Sequence, residues 1–331
     1  DRSPSRGLGD VYKRQVVRIG NGGAGHSYLC CDRCKRAPVP CHVATLYSVI
    51  VNRRTTEIDN IQRRFTEVLP DTVTPGAPLV LFLHGSLQSG SVARNFTGNT
   101  FDALTERGCV VFYPDGIHRH FNDHRVGFQE KAREMLIDDT AFLSRLIDLS
   151  AGEYATDRVI ACGFSNGGQM VQRFALERPG ILDGIACFGS PWPAEDNVLP
   201  ELAEKQKDWV ATPVLSVQGT ADPIVPYNGG TSGIGNANRG TARSAIDSAR
   251  HFAALNGLNP QQTTTGVSGE VRVERFGSGV PGTAANGPTV ELWSIEGVGH
   301  LVPSPKQLDA KIGPGTDKVV GAKLVSTFFK L

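Results

Sequence analysis

The chain has 331 residues, 40% of them hydrophobic, with 38 Gly and 20 Pro. That suits a loop-rich globular protein of one large α/β domain or two small ones. A formal charge of +1 leaves no basic field for nucleic acid or an anionic membrane, and no apolar run is long enough to cross a bilayer, so neither partner is expected.

Residues 1–15, DRSPSRGLGDVYKRQ, have no apolar period and resemble adapter-derived sequence at the ends of environmental reading frames. Residues 1–45 are expected to form a poorly ordered or non-native leader, with the folded domain over 46–331. In the leader, Cys31 and Cys34 have a zinc-like spacing. The following Cys41-His42 is irregular and no packed segment surrounds it, so no metal site is predicted. Cys109, Cys162 and Cys187 each sit inside an apolar run and read as small buried hydrophobes. The odd total of seven cysteines gives no clean disulfide framework.

From Leu46 the pattern tightens. Residues 47–51 and 64–69 read as early strands with a polar stretch between them. Residues 78–83, 109–113, 159–162, 184–188 and 214–217 are apolar throughout rather than alternating. Such runs indicate strands buried on both faces, the mark of a parallel sheet. Helical spacing appears after Asp138-Asp139, which can cap a helix, and again over Met170–Ala175, stopping before Pro179. A third helix is predicted over 243–255, closed by Asn256-Gly257. Alternating strands and helices specify an α/β fold with a mostly parallel sheet, flanking helices and right-handed crossovers.

Gly163-Phe164-Ser165-Asn166-Gly167 falls where the strand at 159–162 should pass into a helix. G-x-S-x-G in that context is a nucleophile elbow: the serine takes a strained turn, and the glycines remove the clashes that turn creates. A serine hydroxyl needs a base and an orienting carboxylate. In this arrangement they follow in the order serine, acid, histidine. Asp222, in the turn after the strand at 213–217, and His300, after the strand at 290–295, occupy those places. An oxyanion hole needs two N–H donors. One should come from Asn166, after the nucleophile, and the other from the loop after Leu83-His84-Gly85, at Ser86 with Leu87 second. His118, His120 and His124 crowd one loop, which reads as a rim of the site; nothing in this chemistry calls for a metal or cofactor.

Leu83-His84-Gly85, Phe112-Tyr113-Pro114-Asp115-Gly116, Asn122-Asp123, Asp138-Asp139, the Ser165 elbow, residues 219–227 and Gly299-His300 occur in series. That series resembles the polyhydroxybutyrate depolymerase and feruloyl esterase group of α/β-hydrolases over roughly residues 60–331. The resemblance implies a serine carboxylesterase with no cofactor, often extracellular. Two positions depart from the group: Phe121 stands where Trp is common, and Leu301 where an aromatic often follows Gly-His. In polyester hydrolases of this fold, similar Ser/Ala-Pro-Trp sequences place tryptophan against an acyl unit, which makes Trp192 a candidate substrate wall, with Phe164 and Leu87 beside it. The segment between residues 193 and 214 is too short for a lid, so an open cleft for a polymeric or bulky ester is expected. Polyhydroxyalkanoate, and polyethylene terephthalate after it, lead as substrates. Feruloyl or acetyl-xylan esters are the alternative. The enzyme is expected to work as a monomer.

Overall fold

The computed structural model describes residues 49–234 and 237–331; the leader expected over 1–45, with its cysteines, lies outside them. Twelve strands are described: β1 Ile50–Ile58, β2 Ile61–Leu69, β3 Pro78–Leu83, β4 Val110–Pro114, β5 Arg158–Phe164, β6 Gly184–Phe188, β7 Val214–Gly219, β8 Gly230–Ile234, β9 Ala237–Ala242, β10 Thr264–Ser268, β11 Val271–Phe276 and β12 Val290–Ile295. Ten form one sheet in the order β1-β2-β4-β3-β5-β6-β7-β12-β11-β10, and β8 and β9 pair as a separate hairpin. The six strands from β4 to β12 run parallel; the two at each end are antiparallel.

The seven α-helices among the described residues are α1 Gly90–Phe96, α2 Lys131–Glu134, α3 Asp139–Tyr154, α4 Asn166–Glu177, α5 Pro200–Ala203, α6 Ala245–Leu255 and α7 Gly321–Phe329. Side chains along β3 explain why its run is apolar throughout. Leu79, Leu81 and Leu83 join a core with Phe142 of α3, Met170 and Phe174 of α4 and Phe252 of α6. Val80 and Phe82 point the other way, into a core with Phe101, Val325 and Phe328. Period-two alternation therefore fills both faces, and the sheet is the middle layer of three.

The expected strand at 64–69 is the second half of a hairpin. β1 and β2 pair through a two-residue turn, with Ile58 opposite Ile61 and Asp59 and Asn60 both left-handed at φ 49° and 60°. A turn with positive φ at both central positions matches the twist of the strands it joins. The charge-rich strand faces solvent along much of its length, so it lacks the apolar signature that marked its neighbours. β10 and β11 extend the far edge in the same way. The helix expected from residue 243 starts at Ala245, because the Ser244 hydroxyl accepts from Asp247 N–H and caps it. Cys109, Cys162 and Cys187 are buried free thiols.

Candidate active site

Ser165 stands between β5 and α4 at φ 52°, ψ −117°, outside the regions where a side chain is comfortable. Two glycines permit this. A Cβ on Gly167 would lie 2.3 Å from Leu83 O, and one on Gly163 would lie 2.4 Å from the carbonyl carbon of Gly167. The serine backbone is pinned as well: its N–H donates to Phe188 O at 2.9 Å, and Ser190 Oγ donates to its carbonyl at 3.0 Å.

Asp222 leaves the end of β7 and His300 follows β12, and those strands are neighbours, so the fold brings together residues 78 positions apart. His300 Nδ1 meets Asp222 Oδ2 at 2.6 Å. The other carboxylate oxygen accepts from Ile224 and Val225 N–H, both at 2.8 Å, which fixes the plane of the acid. A proton on Nδ1, facing a carboxylate, leaves Nε2 with its lone pair. That Nε2 is buried and has no hydrogen-bond partner among the described residues. The ring lies 4.8 Å from Phe164 and against Gly189, where a Cβ would be 3.0 Å from it. The residues chosen from the sequence as nucleophile, acid and base thus gather at the carboxyl end of the parallel strands.

A segment the sequence did not single out holds His300. His300 N–H donates to Ile312 O at 2.6 Å, and Gly299 N–H to Pro314 O at 2.8 Å. Gly313, at φ +89°, sits so close that a Cβ on it would be 2.7 Å from the Gly299 Cα. The Gly313-Pro314-Gly315 run was the available signal, though it indicates a turn rather than what the turn touches.

The N–H groups of Asn166 and Ser86 make no hydrogen bond to the described residues, whereas Leu87 N–H donates to Arg119 O at 3.0 Å. Of the two loop donors considered, Ser86 is the free one. The Asn166 side chain works behind the site. Its Oδ1 accepts from Phe121 N–H at 2.8 Å, and its Nδ2 donates to Phe121 O at 2.9 Å and Asp123 Oδ2 at 2.7 Å. Burial alone would raise the Asp123 pKa, but the Arg125 guanidinium at 2.6 Å outweighs it and holds the carboxyl below its ordinary value. Phe121 and Asp123 therefore anchor the first turn of α4.

Two expectations need correction. Trp192 is wholly buried and cannot wall a substrate. Its N–H donates to Ser248 Oγ on α6 at 2.7 Å, which turns the loop inward, and the ring packs among His124, Trp209, His251 and Phe252. Phe164 is also buried: it stacks on Phe96 at 5.1 Å and backs the His300 ring, which leaves almost no face for an acyl group. Leu87 differs, being 54% exposed beside Ser86. Of the loop histidines, His124 is buried with Nε2 on Gln169 Oε1 at 2.7 Å, and His120 Nδ1 lies 3.0 Å from His118 O. His118 and Arg119 are exposed on the rim.

Residues 71–233 match the phospholipase/carboxylesterase family, a stretch that includes Ser165 and Asp222 and stops short of His300. The chain is 28% identical over 200 residues to "Putative esterase NocK" of Nocardia uniformis subsp. tsuyamanensis, covering 59% of this chain and 53% of that protein. It is 28% identical over 230 residues to feruloyl esterase B of Piromyces equi, covering 68% of this chain and 39% of that one. The chain thus spans about half, or less, of the length of these relatives. An acetyl xylan esterase from Aspergillus awamori shares the fold at a TM-score of 0.55 and 11% identity, over 77% of this chain and 96% of that one.

Proposed function

We propose that this chain, which has the α/β-hydrolase fold and is similar to esterases, is a serine carboxylic ester hydrolase working through Ser165, His300 and Asp222. The observation that carries this reading is the elbow serine at φ 52°, together with the 2.6 Å contact between His300 Nδ1 and Asp222. His300 Nε2 takes the Ser165 proton as Oγ adds to the ester carbonyl. The N–H groups of Ser86 and Asn166 hold the oxyanion. The C–O bond then breaks, His300 gives its proton to the departing alcohol, and an acyl-enzyme remains. Water repeats the sequence, and the acid is released. Asp222 keeps the imidazole oriented and offsets its transient positive charge. No cofactor enters these steps.

The substrate class we favour is a cell-wall ester, feruloyl or acetyl, in keeping with the names of two of the matched proteins, and we propose a secreted enzyme that acts as a monomer. The burial of Trp192 removes the wall on which an aromatic polyester was to lie. One observation still favours a polyester: the connection from β6 to β7 holds only the four-residue helix α5 and two short 3₁₀ turns, and Leu87 is exposed at the mouth. Wild type and Ser165→Ala should be compared on methyl ferulate, p-nitrophenyl acetate and polyhydroxybutyrate film. Loss of hydrolysis by about three orders of magnitude or more in the variant is expected. Intact activity would remove Ser165 from the mechanism, and film release without ferulate turnover would move the substrate to polyesters.

A further inference from the structure

Three residues other than glycine take left-handed backbone conformations at one junction beside the site: Leu87 at φ 63°, His118 at φ 48° and Arg119 at φ 67°. Strain of this kind persists only where surrounding contacts over-determine it. Here the contacts form a closed circuit. The circuit starts at His84, which is wholly buried and directly follows β3. Its Nε2 accepts from Gly116 N–H at 2.9 Å, and its Nδ1 lies 2.7 Å from Gly85 O. Gly116 opens the turn 117–120. Within that turn, Arg119 N–H donates to Gly116 O at 3.2 Å and His120 N–H to Ile117 O at 3.1 Å. The turn then reaches back to the loop that follows His84. Arg119 O accepts from Leu87 N–H at 3.0 Å, and the Arg119 guanidinium donates to Leu87 O.

Both polar groups of the Leu87 backbone are therefore held by one residue of another loop, while the preceding N–H, on Ser86, stays free. A loop with two consecutive free N–H groups has two ways to present a donor, and catalysis by charge stabilisation needs one donor in one place beforehand. We infer that the Ile117–His120 turn is a clamp that selects Ser86 N–H as the oxyanion donor, with Arg119 as its positioning residue. This rests on the serine esterase reading above. Arg119 acts through Leu87, and its side chain is not required to touch the ester.

The test uses the full chain with p-nitrophenyl acetate, a small neutral ester, and a trifluoromethyl ketone, whose adduct with the serine carries the oxyanion. Arg119→Ala should lower kcat by about 10- to 100-fold, less than outright loss of a donor, with KM held within about twofold. The inhibition constant of the ketone should rise by the same factor as kcat/KM falls. Arg119→Lys, which can still donate to Leu87 O, should recover most of the loss. Unchanged kcat and ketone affinity in Arg119→Ala would overturn Arg119 as the positioning residue, and with it the clamp as proposed, while leaving the esterase reading intact; the Leu87 N–H contact to the Arg119 carbonyl would then be a packing contact alone. An effect confined to KM with an anionic ester would overturn the clamp as well, since the guanidinium would then be a substrate contact. A wild type that neither hydrolyses the ester nor reacts with a fluorophosphonate would overturn both.

Discussion

His300 and Trp192 are both buried rings on loops that leave the sheet, yet they do different work. Trp192 is surrounded by aromatic neighbours, and its backbone N–H is bonded to α6. Among the described residues one ring nitrogen of His300 has no partner, which is costly unless something else uses it. The sequence shows a strand end followed by Ser190-Pro191-Trp192-Pro193, which identifies a loop but not its direction. The Ser248 hydroxyl that turns it inward is 56 residues away. The nucleophile was legible because its signal is local, and the acid and base because their order along the fold is constrained. Trp192→Ala should therefore lower unfolding free energy by about 3–5 kcal/mol, read from urea denaturation, with KM for p-nitrophenyl acetate little changed. A raised KM with normal stability would return Trp192 to the substrate. Asp222→Asn keeps the shape of the acid but reverses the preferred histidine tautomer. A fall in kcat of about 10⁴-fold is expected, with Tm nearly unaltered.

The parallel strands were readable because a strand buried on both faces is apolar at every position. β1 was read only in its first two residues, and β10, β11 and the β8–β9 hairpin escaped notice: β1, β10 and the hairpin are exposed or polar along much of their length, and β11 buries the charged Glu274 and Arg275, so no apolar run marks any of them. The segment holding His300 was invisible for another reason. Its contacts run from backbone to backbone, through Ile312 O and Pro314 O, and any residue type can supply a carbonyl. Its one sequence-specific demand is Gly313, where a Cβ would strike Gly299. Gly313→Ala should displace the Gly299-His300 pair and lower kcat by about tenfold or more, with KM close to wild type. Stopped-flow hydrolysis of p-nitrophenyl acetate separates the two constants, and an unchanged kcat would show the segment to be incidental.

Burial of charge and of neutral histidine shapes the response of the whole molecule to acid. His84, His124 and His251 are each pushed down to about 4, in every case chiefly by burial. In the unfolded chain they titrate near 6.5. Between those values the unfolded state binds more protons, so stability is complete above about pH 6.5 and is lost as pH falls towards 4. Each can contribute on the order of 3 kcal/mol at the acid end. Denaturation midpoints measured from pH 7.5 to 4.5 should fall steadily over that window; a flat profile would contradict the buried neutral rings. Buried ion pairs such as Arg63–Asp139 at 2.5 Å and Arg275–Glu291 at 2.8 Å add groups that tolerate no loss of one partner.

The segment that braces His300 also lies on the mechanical path between that residue and α7. Gly321 N–H is bonded to Pro303 O, and the Arg158 guanidinium holds Phe329 O at 2.6 Å, so α7 is moored at both ends. A tensile load applied beyond α7 must break those moorings first. Once the Arg158 contact has freed α7 from β5, the load passes along the chain to Pro314 and Ile312, which draw directly on His300, before it reaches β12. Under force, or when tethered to a surface through that end, the molecule should lose its base while the sheet and the strained serine remain intact.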